Sequence, residues 1–268
     1  MMKSPRRAYI DSEYGQLHFR SVGHRSNKPT IVCLHMVPKS SQSFARTILY
    51  LAKDRLVIAP DYPGYGESDP PPADPPVRIE DYARVVLKLT QDLDTGPIQL
   101  VGYHTGSMVA AEIAFQRPDL VKKLINISAP IFTHEEKLNL SKYFAPIPLD
   151  KDGSRFKIMW SRIMEYRGPG MTLEMAARSM AENMRGGENY EWGHRAAFNN
   201  TETYASRLTE LKQPILVMNL KDDLYTHSLR ADKLIQNGYR KDYPEWGHGF
   251  LEVFPEQVAI EILDFLDR

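Results

Sequence analysis

Gly102-Tyr103-His104-Thr105-Gly106 lies between a short apolar run, Ile98 to Val101, and a stretch of helical spacing that opens at Ser107. A strand, two glycines flanking one residue, and then a helix make the layout of a nucleophile elbow. The glycines permit a sharp turn and close helix–sheet packing, and the central side chain is pushed outward. Here that side chain is an imidazole. At a helix N-terminus the positive end of the macrodipole opposes protonation, so His104 is expected to be biased neutral. A neutral imidazole can accept a proton, or attack an acyl carbon and form a labile acyl-imidazole. Thr105 and Ser107 are poorer candidates, because the turn aims the Thr105 backbone, not its hydroxyl, at a substrate.

The elements that must position this turn follow from patterning. Continuous apolar runs at 30–34, 56–59, 98–101, 124–127 and 215–218 lack alternation, the habit of strands covered on both faces in a parallel sheet. Helical spacing fills 43–53, 79–92, 107–116 and 255–266, so strand and helix alternate and the fold class is α/β, a doubly wound, mostly parallel sheet. Ala8 to Ile10 and Gln16 to Phe19, flanking Glu13-Tyr14-Gly15, read as an antiparallel hairpin at the sheet edge. The alternation breaks after Pro130. Residues 132–209 are expected to be a helical cap or lid insertion into a core built from 1–131 and 210–268, since so long a structureless loop is improbable. Six of the 11 methionines fall in this segment, with Trp160, Tyr166, Tyr190 and Trp192. Their spacing fits ordinary helix packing, and an apolar, adaptable pocket if the insertion roofs one.

At this level the chain resembles the α/β-hydrolase fold superfamily over most of its length outside the insertion. Leu34-His35-Met36-Val37-Pro38 is similar to the family's oxyanion-loop segment, and Ala59 to Asp69 to the turn after its next strand. Pro214 to Asp223 is similar to the strand that ends in the triad acid, and Gly247-His248, before the final helix, to the family's histidine. The resemblance implies a centre of His104, Asp223 and His248, with Asp222 competing with Asp223 as the acid. It also implies an oxyanion hole from the Val37 and Thr105 N–H groups. Two departures stand out: His104 replaces the usual Ser, Cys or Asp, and Met36 replaces a glycine. Met36, Tyr103, Trp160 and His194 are the expected substrate-pocket residues.

Composition removes other classes. With 34 Lys+Arg, 34 Asp+Glu, a net charge of zero and a pI of about 7.1, a polyanion partner is not expected. Cys33 is the only cysteine, which excludes an intrachain disulfide framework and should be buried and inert. The basic start, Met1 to Arg7, runs into polar sequence without a signal-like apolar stretch, and a cytoplasmic location is expected. Gly64-Tyr65-Gly66-Glu67-Ser68-Asp69 fails as a dinucleotide fingerprint, because Asp69 replaces the third glycine and Glu67 would repel a pyrophosphate. No cofactor is expected. A metal on His104, His248 and Asp223 is disfavoured, because the acid is used up behind the histidine and too few ligands face one point.

The leading expectation is a hydrolase of a carboxylic ester, thioester, lactone or related bond in a small apolar substrate. Competing readings are a lyase or isomerase working by histidine proton transfer, and a non-catalytic ligand-binding member. In the last, a degenerate elbow leaves His104 merely hydrogen-bonded to Asp223–His248. The expected partner is a small-molecule substrate, with no nucleic acid and no membrane; a homodimer stays open.

Overall fold

The computed structural model describes residues 4–268, so Met1 to Lys3 of the basic start lie outside the described residues. Eight strands form one sheet: β1 (Arg6–Ser12), β2 (Gly15–Val22), β3 (Thr30–Leu34), β4 (Val57–Pro60), β5 (Ile98–Tyr103), β6 (Val121–Ile127), β7 (Ile215–Leu220) and β8 (Gly238–Tyr243). Their order is β1-β2-β4-β3-β5-β6-β7-β8. The opening hairpin and the β2/β4 pair are antiparallel, and every later pair is parallel. All five apolar runs are strands. The eighth strand carries no such run: Tyr239-Arg240-Lys241-Asp242 is largely exposed at the sheet edge, where charge discourages pairing with another chain.

Helices cover both faces. They are α1 (Thr47–Leu51), α2 (Ile79–Asp92), α3 (Thr105–Gln116), α4 (His134–Tyr143), α5 (Ser154–Glu165), α6 (Leu173–Arg185), α7 (Trp192–Asn199), α8 (Thr201–Glu210), α9 (Tyr225–Ser228), α10 (Phe250–Val253) and α11 (Pro255–Asp267). Alternate residues of β3 enter opposite cores. Val32 and Leu34 pack with α2, α3 and α8, whereas Ile31 and Cys33 pack with α1, α10 and α11. The helix expected over 43–53 is instead a 3₁₀ turn at Ser41–Phe44 followed by α1. Ser40 caps that turn by accepting from the Gln42 N–H, and Ser41 donates its own N–H to Asp61. Five helices, α4 to α8, fill the chain between β6 and β7. Of these, α8 sends Tyr204 and Leu208 into the core beside α3.

In such a sheet the carboxyl ends of the strands define where ligands bind. β5, β6 and β7 are neighbours, so the segments just beyond them, Tyr103-His104, Ser128 and Asp222-Asp223, converge. The two elbow glycines make this approach possible. A Cβ on Gly102 would meet the Gly106 carbonyl oxygen at 2.2 Å, and one on Gly106 would meet the Leu34 oxygen at 2.1 Å. Backbone cannot yield as a side-chain tip can. Gly106→Ala should therefore cost roughly 1–3 kcal/mol in urea unfolding; a loss below about 0.5 kcal/mol, the range of neutral surface changes, would show that α3 has room to move off the sheet.

Candidate active site

His104 stands at φ 50°, ψ −114°, a conformation that L-residues seldom adopt. Its backbone is held on both sides: the N–H donates to Ile127 O at 2.9 Å, and the carbonyl accepts from the Ser107 N–H at 2.8 Å. Ser107 Oγ donates to Gly102 O at 3.0 Å and closes the turn. The side chain emerges beside the first turn of α3. Its Nε2 lies 3.0 Å from Asp222 Oδ2. The Asp222 side chain is fully buried and also accepts from Ser128 Oγ at 2.6 Å and from the Leu224 N–H at 2.9 Å. A buried carboxylate needs donors, so Nε2 carries the proton. That leaves the Nδ1 lone pair, which has no partner among the described residues.

A second pair lies beside the first. His248 Nε2 is 2.6 Å from Asp223 Oδ1, and His248 Nδ1 is 3.1 Å from the Tyr103 hydroxyl. The two imidazole rings are 5.3 Å apart at 66°, and Tyr103 meets the edge of His104 at 4.5 Å. Burial works against a charge on His248, but the Asp223 carboxylate outweighs it and raises the histidine above its ordinary value. In return, His248 overcomes the effect of burial on Asp223 and holds that carboxyl well below the usual range. The competition between Asp222 and Asp223 thus resolves into a division: each aspartate takes one histidine, and His104 bonds Asp222 rather than the Asp223–His248 pair.

The loop carrying Val37 is fixed by a neutral histidine. His35 donates from Nδ1 to Met36 O at 2.8 Å and accepts the Tyr62 N–H at Nε2 at 3.0 Å. Burial, only partly offset by Asp61, pushes its pKa down to about 4. The Val37 N–H meets no acceptor among the described residues, and Thr105 opens α3, where the first amides lack intrahelical partners.

Val37, Thr105, Met36, His104, Asp223, His248 and His194 all border one cavity of about 470 Å³. Phe132, Phe144, Met159 and Phe198 make much of its wall apolar. His194 stacks on Phe144 at 4.4 Å, and desolvation, with Arg162 nearby, pushes its pKa down to about 3, so it is neutral. Tyr103 lies outside this wall. It borders a smaller cavity of about 150 Å³ that also touches His248. Trp160 borders neither.

Sequence reasoning missed Ser128, which reaches Asp222 from a left-handed backbone at the end of β6, and Lys39. Lys39 Nζ donates to Ser179 O at 2.9 Å and Oγ at 2.5 Å, and to Asn183 Oδ1. Burial, opposed by Glu182, lowers Lys39 to about 8. The Ser40 N–H donates to Glu182 at 2.7 Å, so the segment after Val37 is tied to α6 at two points. Neither residue carries a motif; only the fold brings their partners near. The metal question also changes, because Asp222 joins the set. His104, Asp222, Asp223 and His248 each present one nitrogen or oxygen, all within 4.8 Å of one another.

A profile described as alpha/beta hydrolase fold matches residues 29–150. A proline iminopeptidase of Heyndrickxia coagulans is 30% identical over 146 residues, 53% of this chain and 49% of that one. The chain thus spans about half the length of this relative. A non-heme chloroperoxidase of Streptomyces lividans is 27% identical over 280 residues, covering 95% of this chain and 97% of the relative. Among solved structures, a hydrolase from Pseudomonas aeruginosa superposes with TM-score 0.83 at 18% identity, over 98% of both chains. An esterase from Exiguobacterium antarcticum gives 0.79 at 18% identity, over 97% of this chain and 99% of that one. With the sheet order and the elbow, these matches show that the chain has the α/β-hydrolase fold. Among the described residues, no helix is long and apolar enough to cross a membrane.

The His248–Asp223 pair has a defined pH signature. A raised histidine contributes stability that is full below its unfolded value, about 6.5, and is lost as pH rises through the higher folded value. A depressed aspartate contributes above its unfolded value, about 3.9, and loses that contribution as pH falls. Asp223→Asn should lower the His248 midpoint in an NMR titration. Its destabilisation should be greatest between these two unfolded values and should shrink above the folded His248 midpoint. An unmoved midpoint would show that Asp223 does not set the basicity of His248.

Proposed function

We propose that the chain hydrolyses a carboxylic ester, thioester, lactone or related bond in a small, largely apolar substrate, with His104, Asp223 and His248 at its centre and Asp222 orienting His104. The reading takes residues 132–209 as a cap over the substrate and the cytoplasm as the place of action, with neither nucleic acid nor membrane as partner. One observation carries it. The elbow imidazole has Nε2 committed to Asp222, so Nδ1 is the ring nitrogen left for a molecule in the cavity.

Attack by Nδ1 on the acyl carbon forms an N–C bond and moves the carbonyl electron pair onto oxygen, which the Val37 and Thr105 N–H groups receive. Collapse expels the leaving group, which takes the Nδ1 proton of His248 in its imidazolium form after that ring exchanges its Tyr103 contact. His248, now neutral and held by Asp223, then takes a proton from water; the resulting hydroxide adds to the acyl carbon, and breaking the N–C bond releases the acid and leaves His104 neutral and His248 an imidazolium once more. The apolar wall suits an uncharged acyl chain. The hydrolase names of several relatives, among them an (E)-2-((N-methylformamido)methylene)succinate hydrolase of Acinetobacter baylyi that is 31% identical over 94 residues, support the reaction class.

A second reading, a lyase or isomerase, draws on the two carboxylate-held imidazoles standing 5.3 Å apart, which could give and take protons without a covalent adduct. Rapid mixing with p-nitrophenyl acetate and butyrate separates the readings. Hydrolysis through His104 should give a burst of about one equivalent and an acyl mass on the His104 peptide, with His104→Ala slowing turnover by at least ~10²-fold. Turnover without adduct would favour proton transfer. Saturable binding with no turnover would leave a ligand-binding member, and undiminished activity in His104→Ala would remove His104 from the mechanism.

A further inference from the structure

We propose that the two histidine–aspartate pairs together form a site for one divalent first-row transition-metal ion, bound through Nε2 of His104 and His248 and one oxygen each of Asp222 and Asp223. The donor set is two imidazoles and two carboxylates, which suits zinc, cobalt, nickel or iron(II) more than calcium or magnesium. With metal–ligand bonds of about 2.1 Å, the His104–Asp222 edge of 3.0 Å and the His248–Asp223 edge of 2.6 Å subtend angles of roughly 90° and 75°. These are close to the cis edges of an octahedron and well short of a tetrahedron's. One donor atom from each of the four residues can be chosen so that all lie within 4.8 Å of one another, about 0.6 Å more than twice 2.1 Å, so a set of this kind needs to close by less than 1 Å.

The surroundings brace two of the four ligands. A ligating histidine donates its other N–H to a fixed acceptor, and ligating carboxylates are themselves hydrogen-bonded. For His248 that acceptor is the Tyr103 hydroxyl, 3.1 Å from Nδ1. Asp222 is braced by Ser128 Oγ–H and the Leu224 N–H. His104, Asp223 and His248 border the large cavity, so the remaining coordination positions open toward it.

Binding requires the two protons now shared in the pairs to leave Nε2, either shifting to Nδ1 or passing to solvent. At His104 this shift removes the Nδ1 lone pair that the proposed hydrolysis uses. The inference therefore rests on that reading only for its effect on activity, which is inhibition; binding itself is read without substrate.

The test uses the full chain treated with chelator, titrated with Zn²⁺ by calorimetry and with Co²⁺ by visible absorption. One equivalent should bind. Affinity should fall at least tenfold in His104→Ala, His248→Ala and Asp223→Asn, and should persist in His194→Ala, whose imidazole borders the same cavity. Bound Co²⁺ should abolish p-nitrophenyl ester turnover in proportion to occupancy, and chelator should restore it. Failure to bind, or binding equally strong in all four variants, overturns the site. If the chain turns over no ester at all, the hydrolase reading fails while the isotherms still decide the metal.

Discussion

A carboxylate without solvent must be met by donors, and Asp222 is met by three: an imidazole N–H, a hydroxyl and a backbone amide. An unpaired buried charge is among the most expensive features a protein can carry. That requirement fixes which nitrogen of His104 holds the proton, which way the ring turns, and why Ser128 leaves β6 in a left-handed conformation. It also separates the roles of adjacent residues. Asp222 points inward to the elbow, and Asp223, one residue on, turns to His248 and the cavity wall.

The centre therefore differs from a relay in which one acid orients one base toward one nucleophile. Each imidazole has its own carboxylate, and a tyrosine lies against both: its hydroxyl meets His248, and its ring meets His104 edge-on. Tyr103 is buried, and desolvation raises its hydroxyl well above the ordinary value, so it remains a neutral hydrogen-bonding group rather than a charge. The sharp turn that presents His104 costs backbone strain, and the surrounding bonds from Ile127 and Ser107 hold it there.

Much of this was legible in the amino-acid order because the physics is local. Buried parallel strands write themselves as uninterrupted apolar runs, and glycines at 102 and 106 mark a turn that no Cβ would fit. The edge strand β8 was less legible: solvent on its outer side allows Tyr-Arg-Lys-Asp where a central strand would need Val or Ile. The two aspartates were harder to tell apart from letters, since they lie two and three residues past the same strand, and which one faces which histidine depends on the chain's rotation as it leaves the sheet. Of the four residues expected at the pocket, Met36 and His194 border the large cavity and two do not. Tyr103 alternates away from the large cavity, and Trp160 lies on the α5 face that borders neither.

The Lys39 and Ser40 contacts to α6 bear on how rigidly one wall of the cavity is held. The segment that carries the Val37 amide and the helix that walls the cavity share a buried ammonium, a carboxylate and several hydroxyl and amide groups. Moving that helix aside would break the Lys39 and Ser40 hydrogen bonds to it together, which discourages independent motion. The Val37 segment and the α6 wall are thereby mechanically linked: a shift in either is felt at once by the other.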